Sequence, residues 1–572
     1  MQDYQVVPSN YQNKIAFIFY WAFFLYLNCI KLILITTVRK FPLLLLAFLL
    51  LLPGITSCYA TTSVKKIIEL EALPRMLRVD LIWPNMGEGL HYEVERAQNK
   101  GGPFLRLDHI TPTVHLFSDY IGEAGITHYY RVRSINPVNG RTGIWSSTVS
   151  ATSTEFDSEG FLTEVQEAGF RYFYNYAYPE SHLPREGIKA KKSWHPKLMS
   201  AVSTGMYFFN IAVGIERGFI TRAEGAAHTE VLLNFLHDKT KRFYGAYPHW
   251  IDGANGKVRP FSSTDSGADL VESGIVAEGL IFAREYFNKD SAAESNIRKI
   301  SDKLWKEIQW DKFVQEPQTP DQVLIWHWSP EHGFSDLPIV GFNEAEICYI
   351  LGAGSPTFAI DPEIYWDGWV AKNPAYYNPR TIEGVNGSID LLLNHDYGIP
   401  MFVMHYSYLG LDPHKVPLKD GYLFDEFTRL TQANYDYAQL NPNGFKGYGK
   451  YWGLTACLGP DGYSAHEPVH NDNGTIAPTG AISSIAYLPE PVIEMITELY
   501  LKKGDELWGP FGFYDSFNIS RNWNAQGYIG IDVGPIAPMI ENYRTGKLWD
   551  TFMKAPEVSS AIEKIWSHPK AH

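Results

Sequence analysis

The chain has 572 residues, too many for one ordinary domain, and its 45% hydrophobic and 20% charged content is that of a globular protein. A formal net charge of −14, with no clustered basic segment, excludes a nucleic-acid-binding surface, which must offer Lys and Arg to phosphates. Four Cys without a paired spacing, and no HExxH or CxxC run, argue against a disulfide framework and give no reason to expect a metal or other cofactor. Cys348 and Cys457 lie in apolar contexts that read as helical and as core.

Residues 1–58 read as a leader. Residues 41–52 (FPLLLLAFLLLL) follow Arg39 and Lys40, a charged start and an apolar stretch typical of an export signal. The stretch ends in Ile55-Thr56-Ser57-Cys58, which resembles the bacterial lipobox. That motif implies a lipid on Cys58 and an exported protein anchored in the cell envelope, at the periplasm or outer membrane. Upstream, residues 15–38 form a second apolar run long enough to span a bilayer. Two adjacent membrane segments before a lipobox would be odd, so the true translation start is expected near Val38.

From 64 to 154 the pattern is short alternating segments separated by Gly, Pro and Asn: RVDLIW (78–83), HYEVERA (91–97), THYYRVRSIN (127–136) and WSSTVSAT (145–152). Alternation sends Trp83, Tyr92, Val94, Tyr130 and Val132 to one face. The region resembles a fibronectin type III β-sandwich, expected to act as a spacer or to pack on its neighbour.

Residues 159–568 read as amphipathic helices joined by long loops. Candidate helices cover 160–177, 199–217, 221–238, 267–288, 290–309, 342–353, 383–394, 421–440, 480–503, 531–545 and 555–567, with Thr221 as an N-cap. About a dozen helices without heptads or a fixed repeat suit a toroid of helical hairpins, the (α/α)6 barrel. An α-solenoid is the alternative, but no period of ~34–47 residues recurs. Aromatics make up 15% of the chain, including 16 Trp and 35 Tyr. Many sit in the loops beside Asp, Glu, His and Asn, a composition suited to stacking on sugar rings and bonding sugar hydroxyls.

Within SSTDSGADLVES (262–273), Asp265, Asp269 and Glu272 are spaced i, i+4, i+7, which on a helix puts three like charges on one face. A cleft for sugars uses that arrangement. The competing structural role is helix capping, with Ser266 and Asp269 resembling a capping box. Glycoside hydrolysis needs two carboxyl groups across the scissile bond. Further candidates are Glu344, at the start of an apolar helix where burial would raise its pKa, Asp472, and Asp532, between glycines that would let substrate or water approach.

Seven segments then carry a resemblance across nearly all of residues 159–567: STDSGADLVESG (263–274), FNEAEICYILGAGSPT (342–357), FVMHYSYLGLD (402–412), YWGLTACLGPDGY (451–463), DNGTIAPTGAISSIAYLPE (472–490), FGFYDSFN (511–518) and IGIDVGPIAPMIENYRTGKLW (529–549). The domain resembles the bacterial glucoamylase-like domain of glycoside hydrolase family 144, the endo-β-1,2-glucanases and sophorose-releasing enzymes. This implies an (α/α)6 fold, no metal, and acid/base hydrolysis of β-1,2-linked glucose chains by a monomer. Related enzymes of the clan invert, passing the acid's proton through a substrate hydroxyl. Matched by motif, Glu344 is the acid and Asp532 the base. Asp265, Asp269 and Glu272 contact sugar or support the acid, and His405, Trp452 and Tyr463 line the cleft. Where family members read FVHQYSH, this chain reads FVMHYSYLG, with a Tyr and a Leu at positions that are polar there. The alternatives are a hydrolase of another β-glucan and a non-catalytic glycan-binding lipoprotein. A polysaccharide lyase would need a basic cleft for its anionic substrate, and these candidates are acidic.

Overall fold

The alternating N-terminal segments become seven antiparallel strands: β1 (Glu71–Arg75), β2 (Arg78–Ile82), β3 (His91–Ala97), β4 (Leu105–Arg106), β5 (Leu116–Tyr120), β6 (Thr127–Ile135) and β7 (Val149–Thr152). They form two sheets, in the orders β1-β2-β5 and β4-β3-β6-β7. Strand β6 buries every second residue, and its Val132 lies opposite Val94 of β3. Trp83, Tyr92, Val94, Tyr130 and Val132 share the small core, as the alternation predicts. The computed structural model describes residues 69–571 except 88, 108–113, 190–194, 316–321, 375 and 394–396. The leader, Cys58 and the expected start near Val38 lie outside the described residues.

The sandwich is pinned to the helical domain by buried charge. Arg78 pairs with Asp80 at 3.1 Å and with Glu164 at 2.6 Å, and donates to the Tyr500 hydroxyl at 2.8 Å. Arg171 bridges Asp80 and Glu167 at 2.7 and 2.6 Å, and Arg75 bridges the same two at 3.2 and 2.6 Å. Burial pushes the Asp80 carboxyl up, but Arg78, Arg171 and Arg75 outweigh it and hold it well below its ordinary value.

The second domain is the (α/α)6 toroid. Helices Ala201–Glu216 and Leu270–Tyr286 are buried on nearly all sides, as their all-round apolar sequences require. They cross closely because a Cβ on Gly205 would lie 2.2 Å from the Ile275 carbonyl oxygen, and one on Gly279 would lie 2.3 Å from the Gly205 carbonyl oxygen. Arg222–Asp238 and Ala292–Lys306 each bury one face. Thr221 caps the former with a full capping box, its hydroxyl accepting from the Glu224 N–H while the Glu224 carboxylate accepts from Thr221.

Several expected elements differ. The 383–394 helix is instead a hairpin of Tyr377–Gly384 with Gly387–Leu393. Gly384 pairs with Gly387 across a two-residue turn, and Gly387 takes a φ of 127° that favours glycine. Cys457 lies in the strand Ala456–Gly459, not in a helix, though both it and Cys348 are buried and free. The 342–353 helix begins only at Glu346 and the 267–288 helix only at Leu270. Tyr408 and Leu409, the departures from FVHQYSH, are both fully buried, with the Tyr408 hydroxyl donating to Glu346.

Candidate active site

Asp265, Asp269 and Glu272 do not share a helix face. Asp265 lies in the bend before the helix. Asp269 ends a two-residue strand paired with His327–Ser329 and is the N-cap, accepting from the Glu272 N–H at 3.0 Å. Glu272 stands in the first turn and accepts from the Val202 N–H at 2.7 Å. Ser266 is not the cap; its hydroxyl donates to Glu331.

His249 gathers the three acids. Its Nδ1 lies 3.2 Å from Asp265 and 3.1 Å from Asp269, and its Nε2 lies 3.6 Å from Glu272. Phe261 stacks on the ring at 4.2 Å. Burial pushes the imidazole down, but the carboxylates prevail and hold it charged, well above its ordinary 6.5. His249, Asp265 and Asp269 also offer ligand atoms within 4.8 Å of one another. Both Nδ1 distances fit an N–H donated to carboxylates, so the imidazolium proton supplies the positive charge there. Burial pushes Glu272 up, against the pull of His249.

Next along the cleft stands Glu344, in the turn before the Glu346–Gly354 helix. Burial, reinforced by the Asp269 charge, pushes its carboxyl up to about 7. The Ser407 hydroxyl donates to its backbone carbonyl and fixes the turn. Tyr406 is a buried phenol whose hydroxyl has no hydrogen-bond partner among the described residues. Burial, then the charges of Asp532, Glu344, Glu272 and Asp515, keep that hydroxyl protonated.

Asp532 sits in the short helix Gly530–Val533, which follows the strand Gly527–Ile529. That strand pairs with Gly187–Lys189, and the Gly530 N–H donates to the Glu186 carbonyl at 2.8 Å, bringing Glu186 alongside. The flanking glycines serve packing, not substrate access. A Cβ on Gly530 would lie 2.6 Å from Ser203 Oγ, and one on Gly534 would lie 2.3 Å from Met206 Sδ. Burial, Asp515 and Glu186 all push the Asp532 carboxyl up. Burial also pushes Glu186 up, and His249 partly offsets it.

Tyr463, on the hairpin of Ala456–Gly459 with Gly462–Ala465, is 48% exposed, yet Asp532, Tyr406 and Asp515 act on its hydroxyl. It forms cleft wall. His405 lines a small cavity together with Tyr406 and Asp532. It is buried and neutral, pushed down to about 3 by desolvation, with Nε2 2.9 Å from the Ser484 hydroxyl. Trp452 and Asp472 are not brought to the site. Trp452 packs edge-on against Tyr435 and donates to the Pro491 carbonyl, because a large apolar ring also suits the seam under the Pro489–Leu507 helix. Asp472 staples its own loop by accepting from the Tyr448 and Tyr437 hydroxyls and the Gly474 N–H.

Sequence reading missed His249, Glu186 and Asp515. The only local signal for His249 is the HWID run that opens a Gly-rich loop. The site thus joins one carboxyl that stays protonated near neutrality, a second beside a carboxyl partner, and a line of acids able to bond sugar hydroxyls. That is the equipment of acid/base glycoside hydrolysis.

Toroid and site together define a glycoside hydrolase of the glucoamylase-like (α/α)6 class. A family model described as "Putative glucoamylase" matches residues 336–556. The chain is 36% identical over 538 residues to the exo β-1,2-glucooligosaccharide sophorohydrolase (non-reducing end) of Parabacteroides distasonis, spanning 90% of this chain and 73% of that protein. The crystal structure of a β-1,2-glucanase from Parabacteroides distasonis matches with a TM-score of 0.82 and 34% identity, over 88% of this chain and 74% of that one. The endo-β-1,2-glucanase from Chitinophaga pinensis, in complex with sophorotriose and glucose, matches with a TM-score of 0.67 and 36% identity, over 72% of this chain and 98% of that one. The chain belongs to the β-1,2-glucanase and sophorohydrolase family, glycoside hydrolase family 144.

Proposed function

We propose that this protein hydrolyses β-1,2-linked glucooligosaccharides and releases sophorose from the non-reducing end, with inversion. The observation that carries the reading is that Glu344 and Asp532 both act on the buried Tyr406 hydroxyl, so the two carboxyls belong to one site. Glu344, protonated near neutrality, supplies the proton to the leaving oxygen. Asp532 removes a proton from water as that water attacks the anomeric carbon. The acid line suits a neutral glycan and would repel a uronate chain. Exo action is supported by the relative of known activity. The Parabacteroides distasonis relative, 36% identical over 90% of this chain, is an exo-acting sophorohydrolase of the non-reducing end.

The test is to incubate residues 64–572 with linear β-1,2-glucan and follow the products by chromatography and the anomeric signal by proton NMR. Sophorose alone, first seen as the inverted anomer, is the expected result. A ladder of longer products overturns exo action, and product only from another glucan overturns the linkage. Binding without product overturns the enzyme reading. We also propose that Cys58 carries a lipid that anchors the protein in the cell envelope. Metabolic labelling with a radioactive fatty acid, lost in Cys58→Ala, tests it; label retained in that variant refutes it.

A further inference from the structure

Phe261 stands in the turn that carries Asp265, and it is 54% exposed. Exposed apolar side chains are ordinary when they stand alone, but this ring is held in place from three sides. The turn closes on itself. The Phe261 and Ser262 N–H groups both donate to the Asp265 carbonyl, at 3.0 and 3.3 Å, and the Asp265 N–H donates to Ser262 Oγ at 3.0 Å. Just before the turn, the strands Trp250–Asp252 and Val258–Arg259 pair, and Arg259 bridges back to Asp252. One face of the Phe261 ring lies on His249, with centroids 4.2 Å and planes 28° apart, and Trp250 meets it at 4.9 Å and 59°. With one face covered by His249 and over half of the residue in solvent, the other face is open. The support itself is fixed. His249 Nδ1 sits 3.2 and 3.1 Å from Asp265 and Asp269, and its carbonyl accepts from the Ala201 N–H at 3.1 Å. Bonds at Nδ1 run in the plane of the imidazole, so the acids border the histidine while Phe261 covers its face. Asp265 is 4% exposed, and its Oδ1 accepts from no donor among the described residues, so the protein leaves this acid edge short of donors.

We propose that the open face of Phe261 is a stacking platform for one glucosyl unit of the substrate, a subsite that extends the acid line of Asp265, Asp269 and Glu272 outward. All the hydroxyls of a β-glucosyl ring are equatorial, so its two faces carry only C–H groups and match an aromatic face. A sugar in contact lies about 4 Å beyond the phenyl ring, with the acids below the opposite face of that ring. The unit on the platform is therefore a neighbour of the unit that bonds the acids, on one continuous chain. The two parts divide the work: carboxylates accept from sugar hydroxyls, and Phe261 offers the apolar contact that they cannot. The inference rests on the reading of this cleft as the binding site of a β-glucan.

The test is titration calorimetry with sophorose and the longer sophorooligosaccharides, on the protein carrying Glu344→Gln so that no substrate is consumed. Phe261→Ala and Phe261→Trp are compared on that background, with thermal melts of each. Phe261→Ala is expected to weaken binding by about three- to tenfold, beginning at one chain length and holding for all longer chains. Phe261→Trp is expected to bind at least as well as Phe261, and the melts are expected to coincide. Unchanged binding in Phe261→Ala at every length overturns the platform. So does a Trp variant no better than the Ala variant, because the ring would then serve only to hold His249 and the acids. Cellooligosaccharides and laminarioligosaccharides titrated alongside separate this failure from that of the underlying reading. Sophorooligosaccharides bound equally with and without the ring sink the platform and leave the linkage standing. Binding of another β-glucan instead, weakened in Phe261→Ala, sinks the linkage and supports the platform. Binding of none of them overturns both.

Discussion

At the seam between sandwich and toroid, three guanidinium groups (Arg75, Arg78 and Arg171) face three carboxylates (Asp80, Glu164 and Glu167). In the cleft, the imidazolium of His249 faces Asp265, Asp269 and Glu272, while Glu186, Glu344, Asp515 and Asp532 continue the line of acids. Both places bury charge, but the outcomes are opposite. Neighbouring arginines hold Asp80 ionised far below its ordinary value, whereas burial and then neighbouring acids push Glu344 and Asp532 up. A balanced cluster fixes geometry; an unbalanced one retains protons to give and take.

The comparison breaks most visibly in variants that touch one place only. Glu344→Gln and Asp532→Asn are each expected to cut kcat by about 10²–10⁴-fold, the usual loss on removing a general acid or base, with no fall in melting temperature. Initial rates and a thermal melt on the same preparations check this. Comparable turnover in either variant would remove that residue from the chemistry.

The seam should show the reverse. Arg171→Ala leaves Asp80 and Glu167 short of a partner inside the protein, a loss of about 3–5 kcal/mol for a buried pair, while the rate per folded molecule stays near wild type. The pH sign follows from Asp80. Its folded-state pKa is depressed, so its contribution is present above its ordinary 3.8 and is lost as pH falls below that value. Denaturant titrations in acid and at neutral pH should therefore show the Arg171→Ala penalty shrinking in acid. A penalty constant with pH would mean that packing, not charge, ties the domains together.

Glu344 sharpens the contrast because its sign is opposite. Its folded-state pKa is raised from 4.5 to about 7, so the stability linked to its proton is complete below 4.5 and is lost as pH rises from there through 7. Glu344→Gln keeps a neutral side chain at all pH values. It is expected to be more stable than wild type by about 1–3 kcal/mol above pH 7 and equal to it below 4.5. The alkaline limb of wild-type kcat/KM should fall near 7 for the same reason. Equal melting curves at high pH would show that Glu344 is not held protonated by its surroundings.

How much of this was legible in the sequence depended on whether the signal was local. Thr221 and Glu224 sit three residues apart and announce their helix, and alternation in β6 announces its strand. The 377–393 hairpin was missed because IDLLL reads as a helix face when the turn at Gly387 is overlooked. Glu344 and Asp532 are expected from residue type and motif. Asp515 carries no local signal, because its place beside Leu458 and Asp532 exists only in the folded chain. Trp452 and Asp472 misled for the converse reason: an aromatic also fills a seam, and an Asp also staples a turn.

Tyr463 gives the smallest expected effect and the finest division between the two places. It is the sequence-derived aromatic that the fold does bring to the cleft, half exposed and facing the Asp532 side. A ring in that position offers a face to a sugar in both the bound substrate and the transition state, so its removal is a loss of uniform binding. Tyr463→Ala should raise KM by about five- to tenfold with kcat nearly unchanged, and Tyr463→Phe should recover most of that. If kcat falls instead and the Phe variant fails to rescue it, the hydroxyl rather than the ring is what matters, and Tyr463 acts through its hydroxyl beside Asp532.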